Sequence, residues 1–428
     1  MFPLRNQRLV RILFAKLCAD ASISLLLYGA LITSTGENAS SFRGALVVAV
    51  SISSPVLWGL AGGFVADLLP RRHALTGAYL LQGICSLAVL SGGEPSQTWL
   101  IVLVFLVMLI GQVSGPTELA VLPMVVPSRR VPLASSLTTM AGAAGSGIGA
   151  AILMPLLMSP GHVVGGLTAA AILFGLSSVA VFEWHHFVPG YKDAPHPQRE
   201  VPRQFMWFPR DGATRLLVAV LATASAAQAI ITALGPDYVV AGGVDPEYMV
   251  YIFGGSGIGI AVALLTAPLI IERFGERASA ITGLLMIGCS LLGLGFARRL
   301  APLLGGVTPL ELIPLPGFDE PEMRVATLVT VILGFGASLA SKAVEVHINR
   351  VVDPPLQARA FAVLSTLKAT VTLAPLLLAG VGAEAAGVRT ILSVSAIAPL
   401  LVAVFGYRVT TRALRGQSWR PRERRAAG

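Results

Sequence analysis

Most of the chain is a series of apolar runs of about 20 residues, the length that an α-helix needs to cross the hydrocarbon core of a bilayer. Turn residues such as Gly92-Gly93-Glu94-Pro95 separate one run from the next. Charged residues make up only 12% of the chain, about half the fraction found in a soluble domain. Because a bilayer interior offers no water to exposed backbone groups, these runs predict an all-α membrane protein.

We count twelve such spans, and the longest polar stretch of the chain divides them six and six. The predicted bounds are 12–32, 44–66, 74–91, 98–118, 132–157, 163–182, 216–235, 248–271, 278–297, 325–346, 360–381 and 391–407. The predicted domains are two six-helix bundles at 1–183 and 216–408, a cytoplasmic linker at 184–215 and a basic tail at 409–428. The first span contains Lys16 and Asp20 and lacks a convincing small-residue cleavage site, so we interpret it as a retained helix rather than a signal peptide.

Lysine and arginine are distributed unevenly between the two sides of the predicted membrane. If both termini are cytoplasmic, the outer segments hold only five of the 31 basic residues, namely Arg43, Arg298, Arg299, Arg324 and Arg389. This bias follows the positive-inside rule and accounts for the net charge of +9 without a nucleic-acid partner. The composition is typical of bacteria, so we expect a multi-pass protein of the bacterial cytoplasmic membrane, with its basic tail on anionic lipid headgroups.

Two charged turns stand at matching places in the two halves, after the second and the eighth spans. The first is Gly63-Phe-Val-Ala-Asp67-Leu-Leu-Pro-Arg71-Arg72, and the second is Pro268-Leu-Ile-Ile-Glu272-Arg273-Phe-Gly-Glu-Arg277. Both resemble the loop between the second and third helices of the major facilitator superfamily. A second pair of matching segments, Val125-Val126-Pro and Val351-Val352-Asp-Pro, follows the fourth and tenth spans and supports two homologous halves.

The resemblance implies a twelve-helix transporter in which two halves alternate access to a central cavity. It implies that the charged turns latch the halves on the inner side, with the inner gate formed by Asp67, Arg71, Arg72, Glu272, Arg273 and Arg277. The alternative is that these charges only signal topology. The run of Pro116, Pro123 and Pro127 is similar to the drug and siderophore exporter-like branch of the superfamily.

Charged side chains inside membrane spans are costly, and for that reason they are default candidates for function. Those in this chain are Lys16, Asp20, Glu118, Lys342, Glu345 and Lys368. In the superfamily the first, fourth, seventh and tenth helices line the cavity, flanked by the second, fifth, eighth and eleventh. These residues would then form a charged ring that couples protons or binds a polar part of the substrate. The alternative is that they form structural pairs, with the lysines reaching toward the interface.

One short tract occurs twice: Gly145-Ser-Gly-Ile-Gly149 in the fifth span recurs as Gly255-Ser-Gly-Ile-Gly259 in the eighth. Glycines four apart leave a flat groove that lets two membrane helices approach closely. In the superfamily these two helices face each other across the boundary between the halves. We therefore expect the four glycines to pack across that boundary and to close the outer gate.

Together these features predict a secondary transporter, with proton-coupled export of a small amphipathic compound as the leading interpretation. We expect a small-molecule substrate, protons as the coupling ion, a monomer, and no cofactor, metal or nucleic acid. No ATP-binding loop, metal-spaced His/Cys set or catalytic triad is visible, so we do not expect an enzyme. A facilitator or importer of a polar metabolite and a non-transporting membrane sensor or scaffold remain open as alternatives.

Overall fold

The computed structural model describes residues 6–35, 40–92, 96–127, 131–158, 163–182, 212–304, 318–352 and 354–417. In these ranges the backbone forms helices joined by turns and contains no strand. Most of the predicted linker and the end of the predicted tail, residues 183–211 and 418–428, lie outside the described residues.

The first half consists of six helical rods. They are α1 (Gln7–Ile32), α2 (Ser41–Leu68), α3 (Arg71–Ala88), α4 (Gln97–Val125), α5 and α6 (Val163–Phe182), where α5 is Val131–Ile148 continued by Gly149–Leu153 and Met154–Leu157. The middle segment of α5 is π-helical, a one-turn widening that α-helices tolerate. The side chain of Asn6 caps α1 by accepting from the N–H of Arg8, and it donates to the carbonyl of Val125 at 2.9 Å. The start of α1 is thereby tied to the end of α4.

The second half also consists of six rods. They are α7 (Gly212–Ala241), α8 (Met249–Phe253 and Gly255–Phe274), α9 (Glu276–Gly295), α10 (Pro321–Val351), α11 (Pro354–Ala386) and α12 (Val388–Ser395 and Ile397–Gln417). A short helix, Ala297–Leu304, follows α9. Gly275 separates α8 from α9 with a φ of +85°, a conformation that residues with a Cβ rarely adopt. The chain can therefore reverse there within a single residue.

Each predicted span lies on one of these rods, so a count of twelve fits the described residues. Ten of the rods, all except α1 and α3, are long and apolar enough to cross a membrane by length and composition. In the first half α1 packs against α5 and α6, and α2 packs against α4. In the second half α10 packs against α8 and α9, and α7 packs against α11.

The two halves meet mainly through α2, which packs against α11 and α7. We call the face at which α1 begins and α12 ends the inner face, following the predicted topology. A Cβ at Gly380 of α11 would fall 2.5 Å from the Cβ of Ala45, near the outer end of α2. The hydroxyl of Thr366 donates to the carbonyl of Pro55 at 3.5 Å, near the middle of α2. Among the described residues, these contacts hold the halves together from the outer face to about mid-membrane.

The predicted packing of the repeated glycine tracts across the boundary is wrong. Gly145 and Gly149 lie against the backbone of α1, where an added Cβ would collide with Leu17 and Ala21 respectively. Gly255 and Gly259 lie in the same way against the α10 backbone at Thr327 and Val331. Each tract thus packs inside its own half. The periodicity of the glycines predicted a close helix contact correctly, but it carries no information about which helix is the partner.

The outer ends of α5 and α8 are nevertheless adjacent, because Met249–Phe253 touches Gly149–Leu153. The glycines that do face the other half are different ones. Gly44 of α2 lies against the carbonyl of Ala233 in α7, and Gly380 lies against α2. Close helix packing at small residues therefore occurs at this boundary as well. It involves α2, α7 and α11, and not the glycine tracts of α5 and α8.

The packing predicts which glycines of the repeated tracts are essential for the fold. We expect Gly149→Leu and Gly259→Leu to lower the thermal midpoint of the detergent-solubilised protein, because overpacking costs about 1–3 kcal/mol. Gly147→Leu and Gly257→Leu are matched controls, since a Cβ at either position meets nothing within 4 Å. Thermal unfolding followed by size-exclusion chromatography measures the midpoint. Equal losses in the test and control variants would contradict these contacts.

Candidate functional site

Three of the six predicted charged candidates meet in the first half. The Nζ atom of Lys16 lies 3.2 Å from Oδ1 of Asp20 and 3.0 Å from Oε2 of Glu118. The hydroxyl of Tyr79, on α3, donates to Oε1 of Glu118. We call Lys16, Asp20, Tyr79 and Glu118 the lysine cluster. It joins α1, α3 and α4 with one ammonium shared by two carboxylates.

The members of the lysine cluster differ in burial. Glu118 and Tyr79 are only 4% and 1% exposed, whereas the side chains of Lys16 and Asp20 retain 23% and 19%. With Lys16 charged and both carboxylates ionised, the cluster carries a net charge of −1. An uncompensated charge is costly in a low-dielectric interior. The addition of one proton would remove this charge and bring the cluster to neutrality. This arrangement is chemically suited to binding and releasing a proton.

Local sequence explains part of this geometry. Lys16 and Asp20 are four residues apart and share one face of α1. Gly142 of α5 faces that pair, and a side chain there would collide with Asp20 and Lys16. Sequence reasoning missed both Gly142 and Tyr79. Their only sequence signals are a small residue in an apolar span and a tyrosine in another, which are too common to identify a site.

The remaining charged candidates do not join this cluster. Lys342 and Glu345 pair with each other on α10 at 2.7 Å, with 34% and 45% of their side chains exposed. Lys368 is partly buried on α11 and has no ion pair in the described part of the chain. The predicted ring is therefore three separate groups: a buried cluster, a more exposed pair and a single lysine.

The predicted inner gate is described only in part. The side chains of Asp67, Arg71 and Arg72 lie outside those that the structure describes. In the second copy of the motif, Glu272, Arg273 and Arg277 are exposed, and the guanidinium of Arg273 lies 5.8 Å from the ring centroid of Phe274. None of these three makes an ion pair that involves a described residue.

Glu276 is the carboxylate of this turn that does have partners. Its Oε2 lies 2.7 Å from Nδ1 of His347, and its Oε1 lies 2.8 Å from Nη1 of Arg350. The other ring nitrogen of His347 contacts the hydroxyl of Thr214 at 3.1 Å, so the turn is tied to α10 and to the start of α7. A signal was present in the sequence: Glu276 directly follows the turn glycine, where a carboxylate complements a helix N-terminus.

At the outer face one carboxylate crosses the boundary between the halves. Glu384, near the end of α11, accepts hydrogen bonds from the hydroxyl of Ser40 and from the N–H of Phe42 at 3.2 Å. Ser40 is the N-cap residue of α2. We call Ser40, Phe42 and Glu384 the outer clasp, in which the second half caps a helix N-terminus of the first. An open pocket of about 410 Å³ beside it gives water access to Glu384.

Long apolar helices in two sets of six, with three charged side chains gathered in one cluster of the first half, define a multi-pass membrane transporter rather than an enzyme. The family model described as "Major Facilitator Superfamily" matches residues 12–318, well over half of the chain. The chain belongs to the major facilitator superfamily. No curated protein sequence matches it significantly.

Solved structures of transporters share the fold. A bacterial homolog of the human lysosomal transporter Spinster, in an inward-facing and unoccupied conformation, is similar with a TM-score of 0.72, 14% identity, and coverage of 98% of this chain and 100% of that one. The peptide transporter POT is similar with a TM-score of 0.69, 14% identity and 94% coverage of both chains. The nucleoside transporter NupG has a TM-score of 0.67, 13% identity, and coverage of 94% and 99%. At these identities the likeness shows the fold alone.

The geometry of the α8–α9 turn predicts which of its two glutamates matters. We expect Glu276→Gln to lower the thermal midpoint, because the loss of a charged, buried hydrogen-bond partner costs about 1.5–3 kcal/mol. Glu272→Gln is the matched control, since Glu272 is exposed and unpaired among the described residues. If Glu272→Gln destabilises the protein as much as Glu276→Gln, the assignment of Glu276 as the structural carboxylate is wrong.

The outer clasp predicts a change in accessibility at the boundary. In a cysteine-free background, Ala45→Cys places a thiol at a residue that is 0% exposed beside Gly380. We expect Glu384→Gln to raise its labelling by an impermeant maleimide several-fold, because the neutral amide is a weaker acceptor for the end of α2. Glu320→Gln, at an exposed outer-face carboxylate without a capping hydrogen bond, should leave the rate unchanged. An unchanged rate in Glu384→Gln would exclude the clasp.

Proposed function

We propose that this chain is a proton-coupled secondary transporter that exports a small amphipathic compound by alternating access. The observation that carries the proposal is the lysine cluster, in which one partly buried ammonium is shared by two carboxylates. Membership of the superfamily supports transport. The named neighbours carry nucleosides or peptides or resemble a lysosomal transporter, which supports a small-molecule substrate.

The proton enters the lysine cluster at Asp20, the more accessible of its two carboxylates. Glu118 contacts two donors, Lys16 and Tyr79, and is nearly inaccessible. Among the described residues Asp20 has only Lys16 as a partner, and its side chain is more exposed. One added proton neutralises the lysine cluster, and Lys16 keeps a carboxylate partner. The transporter can then change between its two states while the lysine cluster carries no net charge.

The contacts across the boundary support the second part of the proposal, the alternation of access. The described contacts between α2 and the second half lie from mid-membrane to the outer face and end in the outer clasp. Opening the outer side requires these contacts to break, and the charged turn at Asp67, Arg71 and Arg72 then latches the inner side. Each half moves as a unit, because its helices are locked together by the glycine contacts within it.

Proton coupling predicts a clear phenotype for Asp20→Asn. In proteoliposomes we expect this variant to lose pH-gradient-driven movement of amphipathic dyes, tested as one anionic and one cationic dye, while Glu320→Gln, at an exposed carboxylate of the outer face, retains it. Infrared difference spectra between acidic and alkaline pH should also lose one carboxylic-acid carbonyl band in Asp20→Asn. This band does not depend on the identity of the substrate.

Two outcomes would contradict the proposal. Normal uphill movement by Asp20→Asn together with an unchanged infrared band would exclude Asp20 as the proton site. If the substrate instead moved in the same direction as the protons, the function would be import rather than export.

A further inference from the structure

The second half contains a cation that no described group balances. Lys16 has two carboxylates within 3.2 Å, and Lys342 is paired with Glu345 at 2.7 Å. Lys368, partly buried on α11, has neither an ion pair nor a hydrogen bond to its ammonium in the part of the chain that the structure describes. An ammonium inside a membrane span is costly without a partner. A single unpaired lysine among three is therefore a candidate binding group.

A second orphaned polar group lies one helical turn away. Thr372 is 1% exposed, and its hydroxyl has no hydrogen-bond partner in the described residues. Other threonines in this protein return the hydroxyl hydrogen to the carbonyl four residues earlier, as Thr370 does to Thr366 at 2.8 Å. A buried hydroxyl that makes no hydrogen bond loses its interaction with water without replacement. Thr372 therefore has a free donor on the same helix as Lys368.

The two groups point in the same general direction. Residues four apart share a helix face, so Lys368 and Thr372 are aligned with Leu364 and Leu376, which are 6% and 0% exposed. That buried face belongs to a helix that packs against α2 of the first half and α7 of the second. Thr366, whose hydroxyl contacts Pro55 of α2, is two residues from Lys368 and therefore lies on the opposite side of α11. The orphaned pair is thus on the side of α11 turned away from that contact, with apolar residues one turn before and one turn after it.

We propose that Lys368 and Thr372 form a subsite for the carboxylate of the transported compound, which is then an amphipathic monoanion. One carboxylate neutralises the single ammonium and accepts the hydroxyl hydrogen of Thr372, so both orphaned groups are satisfied at once. A phosphate dianion would leave excess negative charge. The neighbouring leucines suit an apolar body next to the charged group. This subsite rests on the proposed transport function and specifies its substrate class.

The membrane potential is consistent with this class of substrate. In a cell with a negative interior, the outward movement of a monoanion is driven by the same potential that drives protons inward. When the transporter returns without substrate, Lys368 is charged and unpaired. When substrate is bound, the pair of Lys368 and the substrate carboxylate has no net charge.

The test measures binding in neutral detergent with four matched probes: benzoate, phenyl phosphate, benzyl alcohol and benzylammonium. We expect millimolar benzoate, but neither benzyl alcohol nor benzylammonium, to raise the thermal midpoint of the wild-type protein. Lys368→Gln should weaken the apparent benzoate affinity about tenfold or more, the loss expected for a charged hydrogen bond. Thr372→Val should weaken it less, and Lys368→Arg should keep most of it. Thr370→Val is the matched control and should bind benzoate normally.

The ligand-free variants give an independent readout. Because an orphaned ammonium destabilises the empty protein, Lys368→Met should raise the thermal midpoint without ligand while abolishing the benzoate response. A lowered midpoint would mean that Lys368 stabilises the fold, and the proposal would be wrong. It would also be wrong if benzoate gave no shift, or if phenyl phosphate alone gave one, since the latter would indicate a phosphate site such as one for lipid headgroups.

These results are distinguishable from the failure of the proposed function. Benzoate binding is measured without a membrane or a pH gradient, so it stands even if Asp20→Asn shows no defect in coupling. A protein that couples protons through Asp20 but ignores benzoate would retain the transport mechanism and lose only this substrate class.

Discussion

Close contact between helix backbones at glycine positions is the interaction on which the rest of this structure depends. Apolar side chains gain little by leaving lipid for another helix, so membrane helices associate through tight packing and hydrogen bonds. Gly145 and Gly149 bring α5 onto α1, and Gly255 and Gly259 bring α8 onto α10. These contacts make each half rigid. Because each half is rigid, its buried charged side chains keep a fixed geometry.

The buried charges then fall into three kinds according to what surrounds them. The carboxylate of Glu276 contacts His347 and Arg350 and ties the start of α9 to α10, which is a structural arrangement. The lysine cluster has one more carboxylate than ammonium, and we propose that a proton completes its charge balance. Lys368 has no described partner, and the proposed ligand would complete its charge balance. The same rule, that a buried charge must be neutralised, points to a different role in each case.

The boundary between the halves is built differently from the interior of each half. It relies on α2 against α11 and α7, with the small residues Gly44 and Gly380 and a few hydrogen bonds at the outer face. Such a boundary can separate without disturbing the glycine contacts inside the halves. The outer clasp lies along it, and the proposed subsite at Lys368 and Thr372 lies on α11, one of the helices that form it.

The sequence by itself determined the spans, the two sets of six, the family resemblance and the local pairs Lys16–Asp20 and Lys342–Glu345, because apolar length and helical spacing are properties of one segment at a time. Only the tertiary structure decided that Glu118 and Tyr79 join Lys16, that the glycine tracts face α1 and α10, and that Glu276 rather than Glu272 has partners. It alone also showed that Lys368 and Thr372 have no partner among the described residues. Helical periodicity fixes which residues share a face, but which neighbour that face meets depends on the packing of all the helices together.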